Sequence, residues 1–103
     1  MAVLTGPVTA SAAEAVTIAF RGRPRTRTFG KPTAGVPTAN SSYPLSDGAL
    51  VVLTVAREAD RDGHLYDGPI APDVDVPYTP GTDRVRDAAA DWLGTQAACR
   101  RSR

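Results

Sequence analysis

The sequence predicts a small mixed domain, α/β or α+β, with few helices around a small sheet. Three observations predict it. Ala49-Leu50-Val51-Val52-Leu53-Thr54-Val55-Ala56 is the strongest strand in the chain, an apolar run of strand length. Val85, Ala89, Trp92 and Leu93 recur at helical spacing and form an apolar stripe near the C-terminus. Between these lie short extended runs punctuated by Gly and Pro.

Ala2 to Thr5 reads as a short buried strand that enters a Gly6-Pro7 turn. Ser11 to Phe20 reads as a helix, apolar over much of its surface and expected to be buried on most sides; Gly22 and Pro24 end it. Arg25 to Phe29 alternates and reads as an edge strand. Gly30 to Asn40 reads as a loop. Ser41 to Leu45 pairs with Ala49 to Ala56 across Ser46-Asp47-Gly48, a good hairpin signal. Glu58 to Gly63 is a polar turn. Leu65 to Val76 is extended and broken by Pro69 and Pro72. Pro80-Gly81-Thr82 leads into a helix from Asp83 to about Gln96, in which Trp92 packs into the core. Met1 runs straight into a core strand with no turn before it, so the chain is expected to be the C-terminal piece of a longer protein.

At 103 residues the chain fits one domain, and 42% apolar residues permit a core of modest size. Twelve basic and eleven acidic residues leave a net charge of +1, which gives no electrostatic case for nucleic acid or an anionic membrane. Arg21, Arg23, Arg25, Arg27 and Lys31 read as the solvated face of the edge strand, and Arg100 to Arg103 as a frayed tail. A single cysteine, Cys99, permits no internal disulfide and no cysteine-based metal site. No apolar run approaches membrane-spanning length, and the N-terminus does not read as a signal peptide. No metal cluster or phosphate-binding loop is legible, so no cofactor is expected.

Candidate chemistry centres on Thr9-Ala10-Ser11-Ala12-Ala13-Glu14. A strand, a tight turn and a serine at a helix start would set a hydroxyl beside unpaired N–H groups and partial positive charge, which favour an alkoxide and an oxyanion. The same spacing, Ser11-x-x-Glu14, is also a capping box, and on spacing alone a plain cap is the simpler reading.

Four separated segments resemble one family. They are Val3-Leu4-Thr5-Gly6 through Glu14; Gly30-Lys31-Pro32-Thr33-Ala34-Gly35; Leu45-Ser46-Asp47-Gly48-Ala49 with the strand after it; and Gly68-Pro69-Ile70-Ala71-Pro72-Asp73-Val74. Their order and spacing resemble the C-terminal part of the catalytic domain of the tail-specific S41 serine peptidases, which include C-terminal-processing peptidases and the tricorn core protease. The resemblance implies a partial crotonase/ClpP-like ββα fold. Residues 1–80 would be the peptidase core and residues 81–103 a C-terminal helix and tail.

By this resemblance Ser11 would be the nucleophile and the Ala12 backbone N–H one oxyanion donor, with the second donor from a glycine upstream. The substrate would be a peptide or protein, bound as an added strand beside Arg25 to Phe29. C-terminal-processing peptidases carry a lysine base where this chain has Val36. Lys31 stands at the family's Glu position. The tricorn-like branch uses an upstream histidine oriented by an acid, and Asp67 stands close to that acid's place. His64, the only histidine, sits in a turn context, and Asp73 reads as a loop-fixing residue. The isolated chain is therefore expected to hydrolyse nothing measurable. The alternative is a non-catalytic ligand-binding or vestigial S41-like module.

Overall fold

The computed structural model describes residues 1–100; the expected frayed tail at residues 101–103 lies outside them. Strand β1 (Ala2–Thr5) leads through a turn into helix α1 (Ala12–Ala19), which returns the chain to strand β2 (Arg27–Gly30). A helical crossover is what two parallel neighbours require. β1 and β2 pair in parallel from Ala2↔Arg27 to Thr5↔Gly30, and β2 pairs in parallel with the short β5 (Val74–Asp75). The sheet order is β1-β2-β5, so β2 is the central strand.

This corrects two expectations. β2 is not an edge, and its register with β1 and β5 leaves no room for a substrate strand alongside it. Nor do the arginines form one solvated face. Arg21 pairs with Asp73 at 3.2 Å, Arg27 lies 5.8 Å over the Trp92 ring, and Lys31 pairs with Asp75 at 2.9 Å. Arg23, Arg25 and Arg27 remain exposed.

Helix α2 (Arg84–Thr95) packs on β1 and β2 through the stripe read from the sequence. Asp83 caps it, accepting the Arg86 N–H at 3.1 Å. Trp92 meets Phe29 with ring centroids 5.7 Å apart in a tilted arrangement. The apolar core is small: Ile18, Phe29, Ile70, Val76 and Ala89. Burying Phe29 contributes about 2–3 kcal/mol. Helix α1 is shorter and more one-sided than its composition suggested. Only Glu14, Thr17 and Ile18 are buried, and Val16 stays exposed. No helix among the described residues is long and apolar enough to cross a membrane.

Strands β3 (Thr38–Pro44) and β4 (Leu50–Arg57) form an antiparallel ribbon with a bulge at Ala39/Asn40. Its tip closes through Leu45 N–H to Ala49 O at 2.8 Å and an Asp47 side-chain bond to the Ala49 N–H. The ribbon pairs with no strand of the main sheet. It draws the molecule out to 66 × 34 × 22 Å, with a radius of gyration of 17.4 Å; a compact chain of this length has about 13 Å. The most apolar strand of the sequence is thus largely exposed.

Candidate active site

β1 ends at Thr5 and the chain turns sharply. The turn is closed in both directions, by Thr9 N–H to Gly6 O at 2.9 Å and Gly6 N–H to the Thr9 hydroxyl at 3.0 Å. The next feature is Ser11, at φ 52° and ψ −114°. Only Ser11 and Arg25 among the described non-glycine residues have positive φ. Such a backbone costs about 1–3 kcal/mol and persists only where its surroundings enforce it.

The Ser11–Glu14 pair is a capping box with unequal halves. The Glu14 carboxylate accepts the Ser11 N–H at 2.8 Å. In the other direction the Glu14 N–H is bonded to the Ser11 carbonyl at 2.9 Å, and the Ser11 hydroxyl approaches it without making a cap hydrogen bond. Ser11 and Ala12 are both exposed. The Ala13, Glu14 and Ala15 N–H groups fold back onto Ala10 O and Ser11 O, while the Ala12 N–H has no backbone acceptor among the described residues.

The Glu14 side chain, which takes the Ser11 N–H, is fully buried. One carboxylate oxygen accepts Ser11 N–H and Val36 N–H, at 2.8 and 2.9 Å. The other accepts the Thr33 hydroxyl and Gly35 N–H, at 2.6 and 2.8 Å. All four donors are neutral. The 33–36 loop is docked further by Ala34 N–H to Thr9 O at 2.8 Å. Its far side is tied to the chain after Asp67: Thr33 N–H bonds Ile70 O and the Thr33 hydroxyl accepts Ile70 N–H. Gly35, at φ 92°, lies flat on Pro69; a Cβ there would come within 2.7 Å of the proline ring.

Burial disfavours the charged form of Glu14, but the donors from Thr33, Gly35, Ser11 and Val36 together outweigh it and hold its pKa below the ordinary value. Asp73 behaves alike. Partial burial opposes its charge, and the Thr28 N–H, the Thr28 hydroxyl and the Arg21 and Arg27 charges overcome that. A carboxylate whose folded pKa is depressed contributes stability that is complete above its unfolded pKa, roughly pH 4. That contribution is lost as pH falls through the folded value. The melting temperature is therefore expected to fall steadily below about pH 4 and to lose most of that dependence in a Glu14→Gln, Asp73→Asn double variant. A flat wild-type profile down to about pH 2 would contradict this.

The other sequence candidates stand as follows. Val36 contributes its backbone to Glu14 and leaves its side chain half-exposed. Lys31 is committed to Asp75. His64 is a turn residue: its N–H bonds the Asp60 carboxylate, its carbonyl accepts Asp60 N–H, and its ring stands edge-on to Tyr66 at 4.7 Å. Asp67 is largely exposed, 3.7 Å from Arg57, and lines a cleft of about 270 Å³ with Arg21, His64 and Tyr66. Among the described residues it makes no hydrogen bond to the Ser11 turn, and Ile70, three residues on, bonds Thr33 of the 33–36 loop. Asp73 accepts the Thr28 N–H and so fixes the extended segment, as its context suggested.

Of the four segments singled out in the sequence, three meet at this turn and the hairpin tip lies apart. The sequence pattern of peptidase family S41 matches residues 1–76. The chain belongs to peptidase family S41. It is 31% identical over 97 residues to the nisin-resistance protein of Lactococcus lactis subsp. lactis, covering 93% of this chain and 29% of that protein. Among solved structures, a lipoprotein from Streptococcus agalactiae superposes with a TM-score of 0.76 at 36% identity, over 91% of this chain and 31% of that one. The photosystem II D1 C-terminal processing protease gives 0.63 at 33% identity, over 73% and 20%. This S41 chain thus spans less than a third of the length of each. The mixed α/β fold is that of part of an S41 catalytic domain.

Sequence reading missed the extent of Glu14's role and all of Thr33's. The only signal for Glu14 was its place three residues after Ser11. Thr33 stood out only as part of the Gly30–Gly35 segment, and its contacts did not, because its partners lie 19 and 37 residues away in the chain.

Proposed function

We propose that this S41 segment supplies the nucleophile of a serine-type peptidase. Ser11 Oγ attacks the carbonyl carbon of a peptide bond and passes its proton to a base. The Oγ–C bond forms as the C–N bond breaks, the amine leaves with the returned proton, and water then hydrolyses the acyl-enzyme. The Ala12 N–H is one donor to the oxyanion. A histidine base and the second donor come from the part of an S41 domain that this chain does not span, and Asp67 orients that base. The substrate is a peptide or protein.

The observation that carries this reading is the exposed Ser11 at positive φ on a strained strand-to-helix turn. A sharp turn of this kind presents a serine at the top of a sheet in hydrolases of other folds. The test is a fluorophosphonate, which phosphonylates activated serines with loss of fluoride. Applied to the protein as its host makes it, the reagent is expected to modify the peptide containing Ser11, found by mass spectrometry. Labelling confined to another residue, or none, would sink the assignment.

One observation favours a second reading. Val36 occupies the place of the lysine in C-terminal-processing peptidases, and a valine cannot accept a proton. A non-catalytic, ligand-binding S41 module is what an unlabelled Ser11 would leave.

A further inference from the structure

We infer that Glu14 is a positioning residue for Ser11: a buried anion that holds the nucleophile's backbone in its strained conformation by clamping the 33–36 loop against it. The inference rests on the peptidase reading above and deepens it.

Three observations converge. The carboxylate is fully buried yet, among the described residues, pairs with no cation. An isolated buried charge is costly unless hydrogen bonds satisfy it, and here four do. One of those bonds goes to the N–H of Ser11 itself, the residue with φ 52°. The same oxygen takes the Val36 N–H, so one atom fixes the spacing between the turn and the loop. A plain helix cap needs only the first of these bonds and is made at the surface. The reach across to Thr33, Gly35 and Val36 is beyond what capping requires.

Shape and charge therefore both matter. A glutamine can keep its oxygen toward Ser11 and Val36, but its amide then points at the Gly35 N–H, donor against donor. An alanine releases every contact. A displacement of the nucleophile by about 1 Å costs roughly 100-fold in rate.

The experiment measures the second-order rate of fluorophosphonate labelling at Ser11, per folded molecule, in the protein as its host makes it. Glu14→Ala is expected to fall roughly 100-fold and Glu14→Gln roughly 10-fold, so that the isosteric variant partly rescues. Thr33→Val strips a bond from the far oxygen and one from Ile70 N–H. It is expected to lower the melting temperature and, since three of the four donors to Glu14 remain, to slow labelling by less than Glu14→Gln does. A merely structural Glu14 would lower stability in all three and the rate in none. Should Glu14→Ala not fold, Glu14→Asp replaces it: the charge remains, one methylene too short to span turn and loop, and the rate is expected to fall below that of Glu14→Gln. Wild-type rates in the folded Glu14 variants would overturn the inference and leave the peptidase reading standing. An unlabelled wild type would overturn both.

Discussion

Ser11→Gly is expected to give a protein that is more stable than the wild type and inert. The reason lies in the backbone. Glycine has no Cβ to clash at φ 52°, so the strain of about 1–3 kcal/mol is relieved. Against this stands the extra freedom of glycine in the unfolded chain, about 0.5–1 kcal/mol. The balance is a gain of about 1 kcal/mol, or about 4–8 °C in melting temperature for a domain of this size. Ser11→Ala keeps a Cβ and keeps the strain, so its melting temperature is expected to match the wild type. In the protein as its host makes it, both variants should lose hydrolysis by roughly 10⁴–10⁶-fold, since removing a serine nucleophile removes the whole acyl-transfer route. The pair separates two claims. A glycine variant no more stable than the alanine variant would dispose of the strain, and turnover surviving in either would dispose of the nucleophile.

The largest effect on stability is expected at Gly30, which pairs with Thr5 at the end of the β1–β2 ladder. Gly30 sits at φ 128°, and a Cβ there would run into the Thr5 carbonyl oxygen. That oxygen cannot step aside. It accepts the Lys31 N–H at 3.1 Å, and the Thr5 hydroxyl donates to the Lys31 carbonyl at 3.0 Å. The Gly30 carbonyl is in turn the acceptor for Val76 N–H, which holds the chain beyond β5. Gly30→Ala must therefore part β1 from β2 or twist β2 away from β5. A loss of about 4 kcal/mol or more is expected, a large share of the stability of a small domain. Urea titration with circular dichroism measures it, and a midpoint near the wild-type value would show that the strands can yield. Because Thr5 immediately precedes the turn that carries Ser11, any variant that does fold should also label slowly at Ser11.

The parts of the fold legible in the sequence are those set by local pattern. β1 and α2 emerged at nearly their observed ends, because apolar spacing is a local signal; the residue that caps α2 is Asp83 and not the Pro80-Gly81-Thr82 turn before it. The hairpin was recognised from its Ser46-Asp47-Gly48 turn. The placement of β2 was not, because whether a strand is central or at an edge depends on β1 and β5, which lie far along the chain. Burial of α1 was overestimated for a related reason: its alanines permit burial, and only what packs on the helix from elsewhere in the chain decides it. At the candidate site, Ser11 stood out by its place after a strand and before a helix. Its strain did not, since no residue type encodes a positive φ in serine. Nor did the four-way grip of Glu14, which is made by groups up to 22 residues distant, three of them backbone N–H groups that carry no side-chain signature.

The β3–β4 ribbon has a practical consequence. Its two outer rims carry N–H and C=O groups that no neighbouring strand takes up, and Leu50, Val52, Leu53 and Val55 are each at least half exposed along it. A long, apolar, two-edged ribbon is a template on which another chain can lengthen the sheet. In dilute solution the 103-residue chain should therefore be poorly soluble and self-associate as its concentration rises, through the ribbon and not through the compact half that bears Ser11. A lysine at Val52 or Leu53 would be the first change to make before handling it.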